Sequence, residues 1–144
     1  MLTSRTCLGL TPTTQRLCGP QYGECVRASW STLFDLPLAS VPRFDPASLR
    51  PGENQRSREK NWLAMLGLQL VEVPPVPLSA LPQDLLGAAI PRGYHLITGQ
   101  SPRGPFGHRC VGRGGQVCWD PHPSRAGLVS TWSLGFVLPL VPRC

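Results

Sequence analysis

His-Arg-Cys-Val-Gly-Arg-Gly-Gly-Gln-Val-Cys-Trp-Asp, residues 108–120, is the stretch that decides the fold of this chain. Paired glycines between two short apolar segments are a strong signal for a β-hairpin. A three-residue loop, 113–115, sets His108 directly opposite Asp120 on one face of the sheet. A two-residue loop shifts the pairing by one and puts the two side chains on opposite faces. The geometry therefore depends on the loop type: a three-residue loop with a glycine and a bulge is common enough to be credible, and the predicted pairing of His108 with Asp120 rests on it.

Outward from the hairpin, helical patterns come first and strand patterns after. Val26, Trp30 and Leu33 recur at helical spacing, so a first helix should begin near residue 23 and end before Pro37. Further helices are expected at 56–66 and near 81–86. The expected strands are 68–73, 94–98, 108–112, 116–120 and 128–138.

Helices followed by antiparallel strands indicate an α+β fold rather than a doubly wound parallel sheet. The 144 residues are enough for one domain with its own core. We therefore expect a single domain over residues 1–144, with a helical part over about 23–67 and a β-rich part over about 68–144.

The net charge of +6 raises the question of nucleic-acid binding. Thirteen of the 14 basic residues are Arg, and they are scattered singly rather than gathered into a phosphate-binding patch, so no nucleic-acid partner is expected. No signal peptide precedes the six cysteines and no apolar stretch is suited to spanning a membrane. A cytoplasmic protein with mostly free thiols and no membrane partner is the expectation.

Cys25 opens the first helix, directly after Gly23-Glu24. The unsatisfied amides and the positive dipole end of a helix N-terminus favour a thiolate, so a cysteine there can have a pKa below its usual 8.5 or so. This position is typical of a nucleophile. The alternative is that Cys25 is a small buried residue on a helix face.

Three histidines compete for the role of base. His108 has Asp120 as a hairpin partner, which would fix its tautomer and leave the other ring nitrogen for a thiol. His95 lies in an apolar strand with no acid nearby in sequence, and His122 lies in a loop between two prolines. His108 is therefore the predicted base.

A zinc site is the rival chemistry. Its four ligands would come from the hairpin region: His108, Cys110, Cys118 and His122. No Cys-x-x-Cys pair is present, and zinc ligands usually come in close pairs, so no metal and no other cofactor are expected.

Two segments of the chain resemble known proteins. Residues 15–29 and the following Leu36-Pro-Leu-Ala-Ser-Val-Pro are similar to the opening of small phage and bacterial papain-like proteins. Residues 101–128, in which a His strand leads to Asp120-Pro, resemble the same proteins and also the bacteriocin-processing (double-glycine) peptidases. Residues 43–92 match no family that we can name.

The resemblance implies a papain-like cysteine proteinase fold, with the cysteine on the N-terminal helix packed on a C-terminal antiparallel sheet. It implies Cys25 as nucleophile, His108 as base and acid, and Asp120 as the orienting carboxylate. Gln15 would be the oxyanion-hole donor, with Gln21 as its rival.

His122 and Trp119 are expected to line the site. Arg109 and Cys110 depart from the family pattern, since small or aliphatic residues usually follow the His. Cys110 and Cys118 would also face each other across the hairpin, where a disulfide can form if the environment oxidises them.

These observations predict a cysteine hydrolase, foremost a peptidase that cleaves an amide bond of a peptide or protein substrate through an acyl-thioester. Acyl transfer or transglutamination on the same triad is an alternative. A papain-like binding module with little turnover is another, because fold alone does not establish activity.

Overall fold

The computed structural model describes residues 10–19 and 23–140. In this part of the chain, three α-helices accompany one five-stranded antiparallel sheet, which confirms the predicted α+β class. The strand order is β1-β5-β2-β3-β4. The helices are α1 (Cys25–Phe34), α2 (Gln55–Met65) and α3 (Gln83–Ala88), and the strands are β1 (Leu68–Val73), β2 (Tyr94–Gln100), β3 (Gly107–Arg113), β4 (Gln116–Trp119) and β5 (Ser130–Pro139).

Local sequence sets the ends of the two long helices. The side chain of Asn54 accepts a hydrogen bond from the Ser57 amide, and the Ser57 hydroxyl accepts one from the Asn54 amide, so a capping box starts α2. Asp35 ends α1 in the left-handed conformation, with φ of 54°, and its amide bonds back to the last turn. The chain then reaches Pro37, which cannot continue a helix.

The sheet separates two apolar clusters. Leu96 and Ile97 are neighbours on β2 and point to opposite faces, as successive strand residues do. The Leu96 face packs under α1 and α2, with Trp30 and Leu63 fully buried. The Ile97 face lies under α3 and includes Cys110. This arrangement places the start of α1 against β3.

The predicted three-residue hairpin loop is wrong. Arg113 pairs with Gln116, so the loop contains only Gly114 and Gly115. Both have positive φ, 65° and 82°, which is the backbone that a tight two-residue hairpin turn needs. Glycines supply this conformation without a steric cost, and that preference decided the loop length.

A β-bulge at Cys118 corrects the consequence of the shorter loop. Val111 pairs with Trp119, so the register shifts by one residue between Val111 and Gly112. The extra residue returns Asp120 to the same face as His108, as a diagonal neighbour rather than a direct partner. The predicted pair is therefore formed, but by a different turn.

The cysteines of the hairpin do not bond to each other. Cys110 is a buried free thiol, whereas Cys118 is disulfide-bonded, so the cross-strand disulfide considered above is absent. Cys18 and Cys25 also carry free thiols. Of the helices in residues 10–19 and 23–140, none has the length and apolar character needed to cross a membrane.

Candidate active site

A buried hydrogen bond joins His108 to Asp120. His108 Nε2 lies 2.6 Å from Asp120 Oδ1, and each side chain is only 3% exposed. The amides of His122 and Gly127 donate to the two carboxylate oxygens at 2.9 and 2.7 Å. Burial raises the pKa of Asp120, but the bond from His108 and the two amides outweigh it and hold that pKa below its usual value. The carboxylate is therefore ionised at neutral pH.

Cys25 lies in the same cleft as the His108 imidazole. It is the first residue of α1 and is half-buried. Burial raises the pKa of its thiol, but a hydrogen bond with His108 and the charge of that ring reverse the effect and lower it. Burial also acts to lower the pKa of His108, but its bonds to Asp120, Cys110 and Cys25 raise it to about 11. These directions favour a thiolate–imidazolium pair.

The main chain of Arg109 positions α1. Its carbonyl accepts from Ser29 Oγ at 3.1 Å, and its N–H helps to lower the pKa of Cys25. Cys25 and Ser29 are one turn apart on the same helix face. β3 pairs with β4 only over residues 111–113, which leaves its outer edge open at Arg109. The start of α1 occupies that open edge.

The side chain of Arg109 links β3 to α2. It forms a buried ion pair with Glu59 of α2. Trp30 Nε1 and Gln55 Nε2 also donate to Glu59, at 2.6 and 3.1 Å, so the buried carboxylate is well satisfied. The charge of Arg109 additionally lowers the pKa of Cys25.

Gln15 lies in the same cleft as Cys25. Its Nε2 donates to the Leu17 carbonyl at 2.9 Å and contacts Cys18 Sγ at 3.7 Å, while its buried Oε1 has no hydrogen-bond partner. The main-chain N–H of Gln15 donates to the carbonyl of Pro121 at 2.9 Å. The rival, Gln21, lies outside the described residues.

Glu24 fixes the Gln15 segment to the start of α1, and the sequence reasoning missed it. Its carboxylate accepts from the amides of Arg16 and Leu17 at 3.1 and 3.0 Å and pairs with Arg27 at 3.0 Å. Burial raises the pKa of Glu24, and these partners lower it below its usual value. An acid directly before the cysteine was the available signal, but its partners are not adjacent in sequence.

A cleft of about 250 Å³ opens beside Cys25 and His108. His122, expected at the site, does line it. Trp119, also expected there, is 7% exposed and packs in the α1 core instead. Its indole N–H donates to the Thr13 carbonyl at 2.9 Å, so it anchors the N-terminal segment.

His95 is a structural residue. Its ring is 1% exposed, Nδ1 donates to the Leu96 carbonyl at 2.9 Å, and Nε2 accepts from the Gly115 amide at 3.0 Å. A backbone carbonyl only accepts and an amide only donates, so the ring is neutral with its proton on Nδ1. Burial lowers the pKa of His95, against the weaker effect of the Leu96 carbonyl. Both nitrogens serve the fold.

Metal binding is not favoured by the geometry. The rival set of zinc ligands loses Cys118 to its disulfide, and the potential ligands that come together within residues 10–19 and 23–140 are His108, Cys110 and Asp120. The 2.6 Å between His108 Nε2 and Asp120 Oδ1 is shorter than the roughly 3.3 Å that separates two ligands of one tetrahedral zinc. The two atoms share a proton rather than bracket an ion.

No family model matches the chain, and neither a curated protein nor a solved structure matches it.

Proposed function

We propose that this chain is a cysteine hydrolase with a Cys25–His108–Asp120 triad in a papain-like arrangement, acting as a peptidase on a peptide or protein substrate. The carrying observation is the buried bond from His108 Nε2 to Asp120, which leaves Nδ1 for Cys25 at the start of α1. The packing of α1 on an antiparallel sheet also supports the interpretation as a papain-like arrangement.

In the proposed reaction, the Cys25 thiolate attacks the substrate carbonyl carbon and forms a tetrahedral oxyanion. Protonated His108 then gives its Nδ1 proton to the leaving amine, and the C–N bond breaks to leave an acyl-thioester. Neutral His108 next takes a proton from the water that attacks the thioester carbonyl. The C–S bond then breaks, which releases the acid and returns the Cys25 thiolate beside protonated His108. Asp120 keeps the ring oriented and stabilises its positive form throughout.

The oxyanion needs donors beside Cys25. The backbone N–H of Cys25, in the first turn of α1, has no intrahelical partner by the geometry of a helix start. Gln15 is the proposed second donor, since it lines the cleft and Glu24 pins its segment to α1. Gln15 Nε2 carries two N–H groups and the Leu17 carbonyl accepts one of them, so a second N–H remains for the oxyanion beyond the weak contact with Cys18 Sγ.

Acylation by p-nitrophenyl acetate tests the proposal without knowledge of the natural substrate. We expect a burst of nitrophenol and one acetyl group on Cys25 by mass spectrometry, with both lost in Cys25→Ser and strongly reduced in His108→Ala. Cys18→Ser is the matched control, because Cys18 is an exposed free thiol nearby, and it should behave as wild type. Acetylation no faster than that of Cys18 would contradict the enzyme proposal and favour a binding module.

A further inference from the structure

Some of the charged side chains that line the cleft have an oppositely charged partner, and one does not. Asp45 is neutralised by Arg43, whose guanidinium donates to both carboxylate oxygens at 3.0 and 2.7 Å. Arg109 is neutralised by Glu59. Arg103 is exposed at the cleft and donates to Ser124 Oγ at 3.2 Å, but no carboxylate among residues 10–19 and 23–140 pairs with it. Outside the triad, the cleft therefore presents an unbalanced positive charge.

His122 lies next to this charge with a defined tautomer. The Ser124 amide donates to its Nδ1 at 3.0 Å, so a neutral ring carries its proton on Nε2. The Ser124 hydroxyl contacts the same Nδ1 at 2.8 Å, and it also accepts from Arg103. Burial and then the charge of Arg103 lower the pKa of His122, which keeps the ring neutral. Both side chains line the cleft and retain N–H donors that Ser124 does not use.

The N–H donors of Arg103 and His122 lie on the side of the cleft where the leaving group of the substrate would lie. The rings of His122 and His108 are 6.2 Å apart. In the proposed mechanism His108 protonates the leaving group, so the leaving portion of a substrate must pass His108 and come next to His122. A guanidinium with an adjacent N–H is a typical receptor for a carboxylate.

We propose that Arg103 and His122 form a subsite for a carboxylate on the leaving-group side of the substrate. The inference rests on the proposed hydrolase function, since that function defines the leaving-group side. The carboxylate has two sources, an acidic side chain after the scissile bond or the free C-terminus of a short substrate. Both present the same planar anion to the same donors.

Binding to the Cys25→Ser protein tests the subsite without turnover. Titration calorimetry would compare the pentapeptide amide Ac-Ala-Ala-Ala-Glu-Ala with its Gln and Lys analogues, and Ac-Ala-Ala-Ala-Ala-Ala as free acid with its amide. We expect the preferred carboxylate to tighten binding about tenfold over its neutral analogue. A gain for Glu alone identifies a side chain, and a gain for the free acid alone identifies a C-terminus.

Arg103→Gln, added to the Cys25→Ser protein, should bring the affinity for each carboxylate peptide to within about twofold of that for its neutral analogue. Arg92→Gln is the matched control, because the substitution removes the same charge and Arg92 is exposed at a different cavity. If Arg92→Gln weakens the preference equally, or if no peptide pair differs or binds, the subsite is overturned. Alkylation of Cys25 in otherwise wild-type protein separates the two proposals: a reactive Cys25 without carboxylate preference leaves the hydrolase standing, whereas a preference with an unreactive Cys25 leaves only a carboxylate-binding cleft.

Discussion

The two ends of the β2–β3 ladder carry one buried histidine each, and the pKa values of the two rings are shifted in opposite directions. His95 lies at the hairpin-turn end and is 1% exposed, and His108 lies at the cleft end and is 4% exposed. Burial acts to lower the pKa of both rings. The pKa of His95 is lowered, whereas that of His108 is raised to about 11.

The partners, not the burial, make the difference. His95 bonds only to backbone atoms, which accept a proton from one nitrogen and donate to the other, so the neutral ring satisfies its pocket. His108 bonds to the carboxylate of Asp120 and to the sulfurs of Cys110 and Cys25, and these partners stabilise the positive ring. A candidate catalytic histidine is thus recognised by a charged partner on one nitrogen and a free path on the other.

The largest expected effect comes from removing the ring at the cleft end. In His108→Ala, Cys25 loses the partner that lowers its thiol pKa. Alkylation of Cys25 by iodoacetamide at pH 6 should slow by about 100-fold or more, because a thiol with a pKa near 8.5 is almost wholly protonated there. The rate for each cysteine is read by peptide mapping. His95→Gln should leave the Cys25 rate within about threefold.

The next effect is the loss of the charged partner alone. Asp120→Asn keeps the side-chain shape but removes the carboxylate that raises the pKa of His108. We expect Cys25 alkylation at pH 6 to fall by about 10- to 100-fold, less than in His108→Ala, because an imidazole remains beside the thiol. An NMR titration of the His108 ring would show its pKa moving down. An unchanged ring pKa would contradict the role assigned to Asp120.

At the turn end, the histidine affects stability rather than reactivity. His95→Gln leaves the Gly115 amide poorly matched, and should cost about 2 kcal/mol of unfolding free energy at pH 7.5. Because the folded pKa of His95 lies below its unfolded value, the unfolded state binds more protons, and His95 subtracts stability as the pH falls below about 6.5. Urea unfolding from pH 7.5 to 5 should therefore show a shallower loss in His95→Gln than in wild type. Equal slopes would mean that the pKa of His95 is the same in the folded and the unfolded protein, which would contradict its lowering by burial.

The smallest expected effect probes the space beside His95. A Cβ at Gly112 would lie 2.4 Å from His95 Cε1, so Gly112→Ala should displace the ring and cost about 1–2 kcal/mol. Gly87→Ala is the matched control, because nothing lies within 4 Å of that position in α3, and alanine favours a helix. Thermal unfolding measures both. A neutral Gly112→Ala would show that the turn end is loosely packed.

The hairpin shows both the reach and the limit of sequence reasoning. The glycine pair correctly predicted a turn, and the expected contact between His108 and Asp120 is present. The loop length was wrong because Gly114 and Gly115 favour the tightest turn. The bulge at Cys118 could not be foreseen, since it depends on how β4 diverges from β3 to follow its own contacts.

Long-range partners account for the rest of what was missed. The helix at Cys25 was predictable from apolar spacing, but its seat on the Arg109 main chain depends on the open edge of β3. Glu59 lies 50 residues from Arg109, and no local pattern indicates that they pair. Trp119 is expected at the site, but its indole packs in the core.

The pH dependence of alkylation tests the central claim most directly, that Cys25 is held as a thiolate by His108. Native protein would be treated with limiting iodoacetamide from pH 5 to 9, and the rate followed for Cys25 and for the exposed thiol Cys18 in the same sample. The account predicts rapid labelling of Cys25 at pH 6, where Cys18 scarcely reacts, and convergence of the two rates only near pH 9. Two rates that rise in parallel, with Cys25 no faster than Cys18 at pH 6, would contradict it.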